Sequence, residues 1–252
     1  MDALQNLQIR FQSAAEMPPP YTHFYTLTVR PLPDRQLEVA FSITYTDRDE
    51  LDADEIIAEG FTADDDFDWK GKLPAVWHPA LESLVSKTRL QPLRADRLPN
   101  DRDFFELTIG AENDKGGQPA NQPDWQYLTQ ELIQAIYEAA GRERPFELTF
   151  VDIQRGTTAE TQLTASFVKR ELLVKSGQRS KNLPWAELQP LMSEVYGVQY
   201  LYEEALPKLP KRDGQFLNLG EELWFELGRA VVDLDEPGAV ARLRKALRRL
   251  AE

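Results

Sequence analysis

The side chains of this 252-residue chain that could do chemistry are 42 carboxylates and two histidines, and there is no cysteine. The last fact excludes disulfides, zinc–cysteine sites, iron–sulfur clusters and a thiol nucleophile. His23 is followed by Phe24 and His78 by Pro79, so neither begins the H-E-x-x-H helix of a zinc protease. No phosphate-cradling P-loop, no G-x-G-x-x-G and no G-x-S-x-G nucleophile elbow occurs. A calcium loop needs ligands at positions 1, 3, 5 and 12 and a glycine at 6. Begun at Asp64 it offers Asp64, Asp66 and Asp68, but Trp69 stands at the glycine position and Ala75 at the last. Begun at Asp47 it places Leu51 at position 5 and Ala58 at 12. No cofactor is expected, and a divalent ion at Asp64–Asp68 would be held weakly, by relief of carboxylate repulsion alone.

Charge is the second source of chemistry. The net charge is -13, and it is concentrated: between Asp47 and Asp68 there are 11 acids and one base, Arg48. Phe61, Phe67 and Trp69 interleave these acids. Two stretches are basic. Lys169–Lys181 holds Lys169, Arg170, Lys175, Arg179 and Lys181 against Glu171, and the last 14 residues hold five bases against Glu252. Segregated charge of both signs suits an interaction surface, with apolar contacts supplying the affinity, because each exposed ion pair contributes only ~0–1 kcal/mol. The residues expected to carry it are Asp64, Asp65, Asp66, Asp68 and Trp69 on the acidic side, and Lys169, Arg170 and Lys175 on the basic side.

The elements that must position these groups read as a duplication. Shifting the chain by 110 residues pairs Leu73-Pro74 with Leu183-Pro184, Leu81 with Leu191, and Val85 with Val195. The same shift pairs Arg102-Asp103 with Arg212-Asp213, Leu107 with Leu217, and Gly110 with Gly220. Over residues 73–112 it yields 11 identities where composition alone gives roughly 2 or 3. Upstream, a shift of 121 pairs Leu27-Thr28 with Leu148-Thr149, which makes the acidic run partly an insertion in the first copy.

Period-2 alternation marks strands at Leu37–Tyr45 and Leu163–Phe167, with others at Leu7–Phe11, Tyr25–Val29, Phe105–Ile109 and Phe146–Ile153. Period 3.6 marks a helix over Asp124–Ala140, closed by Gly141, and others over Pro79–Lys87, Trp185–Tyr196, Glu221–Val232 and Gly238–Leu250. Asp235 is the expected N-cap of the last. The expected fold is α+β: two diverged copies of a ββ(β)-α-β-α unit, each an antiparallel sheet covered on one face by helices. The expected boundaries are 1–20 for an N-terminal strand and Pro-rich linker, 21–141 for the first repeat with its acidic insertion at 47–68, 142–234 for the second, and 235–252 for a basic amphipathic helix.

The chain lacks an apolar run of about 20 residues and begins without a basic, then apolar, leader, so a cytoplasmic protein is expected. The expected function is non-catalytic: an adaptor or regulator that binds a protein partner and does not touch membranes. Two alternatives remain open. One is single-stranded nucleic-acid binding, with Phe146, Phe150 and Phe167 near Lys169, Arg170 and Lys175; the other is a carboxylate-dependent enzyme.

Overall fold

A computed structural model describes residues 4–62, 64–110, 114, 116–234 and 236–251. The fold is α+β, and the chain divides into two compact units, Met1–Glu143 and Arg144–Glu252.

The first unit is built on strands β1 (Leu7–Gln12), β2 (His23–Pro31), β3 (Leu37–Tyr45) and β4 (Phe67–Leu73). These are followed by β5 (Leu90–Gln91), β6 (Phe104–Ile109) and β7 (Gln118–Pro119). Its helices are α1 (Ala53–Ala58), α2 (His78–Lys87) and α3 (Gln122–Ala139). The main sheet has the order β4-β3-β2-β1-β6, every neighbour antiparallel, while β5 and β7 pair separately. Alternation along the strands sends Ile9, Leu27, Val39, Phe41 and Leu107 into the core, where Trp77, Leu81, Trp125 and Leu132 from the helical side are also fully buried. Buried indole needs a hydrogen-bond partner, and Trp125 Nε1 donates to Thr88 Oγ1 at 2.8 Å. Gly141 (φ 72) closes α3 in the left-handed region, as the sequence predicts.

The second unit contains β8 (Phe146–Gln154), β9 (Thr157–Ser166), β10 (Glu171–Ser176) and β11 (Arg179–Leu183). There follow α4 (Leu188–Tyr196), β12 (Val198–Tyr200), β13 (Gly214–Asn218), β14 (Phe225–Glu226), β15 (Val231–Asp233) and α5 (Ala239–Ala251). Its sheet runs β11-β10-β9-β8-β13-β14, again antiparallel throughout, with β12 paired to β15. Leu148, Phe150, Leu163, Leu172, Val174, Leu217, Leu243 and Leu247 fill one core on the helical face. A small cluster of Val151, Ile153 and Phe216 lies apart from that core, covered by Leu206, Leu209 and Trp224.

The two sheets share a strand order, β4-β3-β2-β1-β6 beside β11-β10-β9-β8-β13. In that order β8 holds the place of β1 and β9 that of β2. Leu27-Thr28 on β2 and Leu148-Thr149 on β8, aligned by the shift of 121, therefore sit on different strands of the pattern. Four strands, not two or three, precede the first long helix of each unit, and β1 is an interior strand of its sheet. Three of these strands are missing from the expectation: β10, an interior strand, and β4 and β11, the two edges; β11 carries no buried residue, so its alternation leaves little apolar signal. A further correction concerns Glu221–Val232, which is no helix. Asn218 pins a turn there, its Nδ2 donating to the carbonyls of Glu221 and Leu223, and Gly228 takes φ 89. Phe225 and Leu227 are then buried at a spacing of two, a strand period.

Candidate functional site: a groove beside the β11 edge

The acidic connection between β3 and β4 is largely spent on its own architecture. Arg48 Nη1 donates to Asp65 Oδ2 and to the Thr62 carbonyl, each at 2.5 Å. Its guanidinium lies 4.1 Å from the ring centre of Tyr45 and 4.9 Å from that of Phe61. Only 9% of the Arg48 side chain is exposed. Among the described residues Nε and Nη2 find no oxygen partner, and cation–π contact with the two rings stands in for one. Asp65 also accepts from the amide and hydroxyl of Thr62, at 2.8 and 2.6 Å. Burial works to raise the Asp65 pKa, but the hydrogen bonds from Thr62 and Arg48 outweigh it and hold the carboxyl below the usual carboxylate value. Asp66 Oδ1 accepts from the Tyr45 amide at 2.8 Å, fixing the chain as it enters β4. Asp52 and Glu55 form a capping box on α1.

Of the acids singled out by sequence, Asp64 and Asp68 are exposed, whereas Asp65 and Asp66 are tied internally. Trp69 is half-buried on β4, its ring so close over Gly71 that a Cβ there would sit 2.3 Å from it. Tyr137, from the last turn of α3, packs on Phe41 and Phe67, and burial pushes its hydroxyl up to about 12. Among the described residues no group of three acidic or histidine side chains is placed to hold a metal ion. A polar cleft of about 370 Å³ at the ends of β1–β3 is lined in part by Ser13, Thr22 and His23. Ser13 Oγ accepts from the His23 amide, the Thr22 hydroxyl donates to the Thr46 carbonyl, and His23 Nδ1 lies 2.8 Å from the Tyr21 carbonyl. These side chains therefore brace the backbone.

The basic residues singled out by sequence do not converge. Lys169 and Arg170 occupy the β9–β10 turn, where Arg170 (φ 47) lies 5.4 Å from the Trp185 ring centre. Lys175 is exposed, and strand alternation puts it on the face of β10 opposite the buried Leu172 and Val174. The aromatic triad of the nucleic-acid reading is taken up by packing: Phe150 is buried, Phe167 meets Trp185 edge-on, and Phe146 lies against Tyr196.

What does converge is a different set. In the first unit α3 reaches over the edge strand β4; in the second, α5 packs on β10 and β15, and hollows lie along the edge strand β11. An apolar cleft of about 340 Å³ lies there, lined by Leu172, Leu183, Pro184, Leu191, Ala246 and Leu250. It adjoins a second hollow of about 510 Å³ that shares Lys181 and Leu250 and extends to Arg179. Three exposed cations border this groove: Arg179, Lys181 and Arg249. None has an acidic partner among the described residues. Of the two acids at the α4 wall, Glu187 and Glu194, the latter is engaged by Arg242 at 3.5 Å.

The hairpin that presents β11 turns through Gly177 and Gln178, with Gly177 at φ 57 in the first turn position, as a type II′ turn requires. In the sequence Arg179 and Lys181 belong to one basic run and Arg249 to another, and the glycine turn between two short alternating stretches is the signal that marks the hairpin. Arg102-Asp103 and Arg212-Asp213 are bracing pairs. Asp103 Oδ1 accepts from the Ala14 amide just past β1, and Asp213 Oδ2 from the Arg155 amide just past β8.

Comparisons with family models, curated proteins and solved structures find no match to this chain.

Proposed function

We propose that this protein is a non-catalytic interaction module that binds a segment of a partner protein in the groove formed by β11, α4 and α5. One observation carries the proposal: an apolar cleft lies beside an unpaired strand edge and is bordered by three cations without an acidic partner among the described residues. Apolar floors with a few fixed charges are the usual make-up of peptide-binding clefts, the floor supplying affinity and the charges orientation. The acidic connection, with two of its central carboxylates engaged internally, contributes solubility and shape. No described helix is long and apolar enough to cross a membrane.

Selection of peptides from a random displayed library against the whole chain tests the proposal. Enriched peptides should lose binding to Ala246→Arg, which fills the cleft from α5, and to Leu183→Asp, while circular dichroism shows both variants folded. Peptides that bind both folded variants as well as the parent would overturn it.

A further inference from the structure

Resting on the groove reading above, we infer that the bound segment adds to β11 as a seventh strand of the second sheet, and that its groove-facing residues run apolar, acidic, acidic. The argument begins with the ladder. A two-residue turn makes Ser176 and Arg179 the first hydrogen-bonded pair, so by antiparallel alternation Val174–Lys181 and Leu172–Leu183 are the next two. The N–H and C=O groups that point away from β10 are then those of Ser180 and Asn182. They form an unpaired backbone edge, the template for strand addition.

Side chains follow the same alternation. Lys181 lies opposite Val174 and Leu183 opposite Leu172, and both partners are buried, so Arg179, Lys181 and Leu183 share the face that looks into the groove. A guest strand running antiparallel to β11 meets them in reverse order. Its first inward residue stands beside Leu183, where Pro184, Leu191 and Ala246 line the apolar cleft. Its second stands beside Lys181, with Arg249 across the groove, and its third beside Arg179. Those neighbours ask for an apolar side chain and then two carboxylates at alternate positions. The two residues between them pair with Asn182 and Ser180 and point to the opposite face, where small β-formers fit.

The probe is an acetylated, amidated, dye-labelled heptapeptide, Thr-Leu-Thr-Glu-Thr-Glu-Thr, titrated with the whole chain by fluorescence anisotropy. Binding should weaken about 10-fold or more when the two threonines facing Asn182 and Ser180 are N-methylated, since each loses a donor worth ~1 kcal/mol. The reversed order, Thr-Glu-Thr-Glu-Thr-Leu-Thr, should also bind more weakly. Lys181→Glu should weaken binding by a similar factor, whereas Lys208→Glu, in the exposed segment outside the groove, should leave it unchanged. If the N-methylated peptide binds as tightly as its parent and both are lost in Ala246→Arg, strand addition is overturned and the groove stands. Should the heptapeptide fail to bind while library-selected peptides depend on the groove, the acidic pattern is overturned. Binding of the heptapeptide that survives both Ala246→Arg and Lys181→Glu overturns the groove as well.

Discussion

Replacing Asp65 with Asn should loosen the connection between β3 and β4 far more than replacing its partner. In Asp65→Asn the Arg48 guanidinium keeps its charge, stays nine-tenths buried and loses the one carboxylate it meets among the described residues. An exposed ion pair is worth ~0–1 kcal/mol, whereas stripping the partner from a fully buried charge costs ~3–5 kcal/mol. Side-chain exposures of 9% for Arg48 and 21% for Asp65 place this pair between those limits, at about 2–3 kcal/mol. In Arg48→Met, by contrast, a flexible apolar side chain takes the space between the Tyr45 and Phe61 rings, and Asp65 keeps both Thr62 bonds, so the cost should stay below ~1 kcal/mol.

Amide hydrogen exchange at Tyr45 and Phe61, whose N–H groups bond to Asp66 and to the Ile56 carbonyl, reports local opening. Exchange there should quicken about 30- to 150-fold in Asp65→Asn and only several-fold in Arg48→Met, and the double variant should resemble Arg48→Met. The pH dependence has a definite sign. Because Asp65 is held below the usual value of 3.8, its contribution is complete above that pH and is lost as pH falls through the lowered pKa. Wild type and Asp65→Asn should therefore converge on acidification. Equal exchange in wild type and Asp65→Asn at pH 7 would refute the placement of Arg48 as a buried, carboxylate-dependent cation.

Three further outcomes are expected. Leu243→Ala, at a fully buried position of α5, should cost roughly 3 kcal/mol in urea unfolding of the second unit, and a loss under 1 kcal/mol would mean that α5 does not seal that core. Asp103→Ala should lower stability by ~1 kcal/mol and Asp213→Ala by less, because the first bond is 2.9 Å and part-buried and the second 3.2 Å and exposed; the reverse order in thermal melts would contradict the bracing roles. Asp233→Ala should fray the start of α5, since the carboxylate accepts from the Val240 and Gly238 amides, which hold its pKa low. That stabilisation is present above the ordinary carboxylate pKa and vanishes on acidification, so a variant with unchanged Gly238 and Val240 exchange at pH 7 would remove Asp233 as the cap.

Much of the architecture is legible in one-dimensional pattern, and the parts that are not have physical reasons. β2, β3 and β9 announce themselves because one face of each is buried, β8 because its apolar residues are buried on both faces, and α3 because its apolar stripe spans five turns. β11 reads Arg-Ser-Lys-Asn-Leu, with no buried residue, so alternation has nothing apolar to mark. β4 does alternate Phe67, Trp69 and Leu73, but the acids preceding it and Gly71 mask the period. Asp235, the expected cap of α5, falls outside the described residues, and Asp233 serves that end, reaching forward from β15 to the Gly238 and Val240 amides. The engagement of Asp65 and Asp66 was hidden because nothing in a run of carboxylates distinguishes those that meet a buried arginine or a strand amide. Arg179, Lys181 and Arg249 could not be grouped from sequence, since about 70 residues separate the hairpin from the helix end and only packing brings them to one groove.

The most direct measurement of the central claim is amide exchange at Ser180 and Asn182 in the whole chain, with and without the Thr-Leu-Thr-Glu-Thr-Glu-Thr peptide at saturation. Alone, both amides should exchange as unpaired edge positions; with the peptide bound, both should slow by about 10-fold or more, while Ser42 and Asp68 on the strands of the first sheet remain unchanged. Saturating peptide that leaves Ser180 and Asn182 exchanging at their free rates would contradict strand addition at β11.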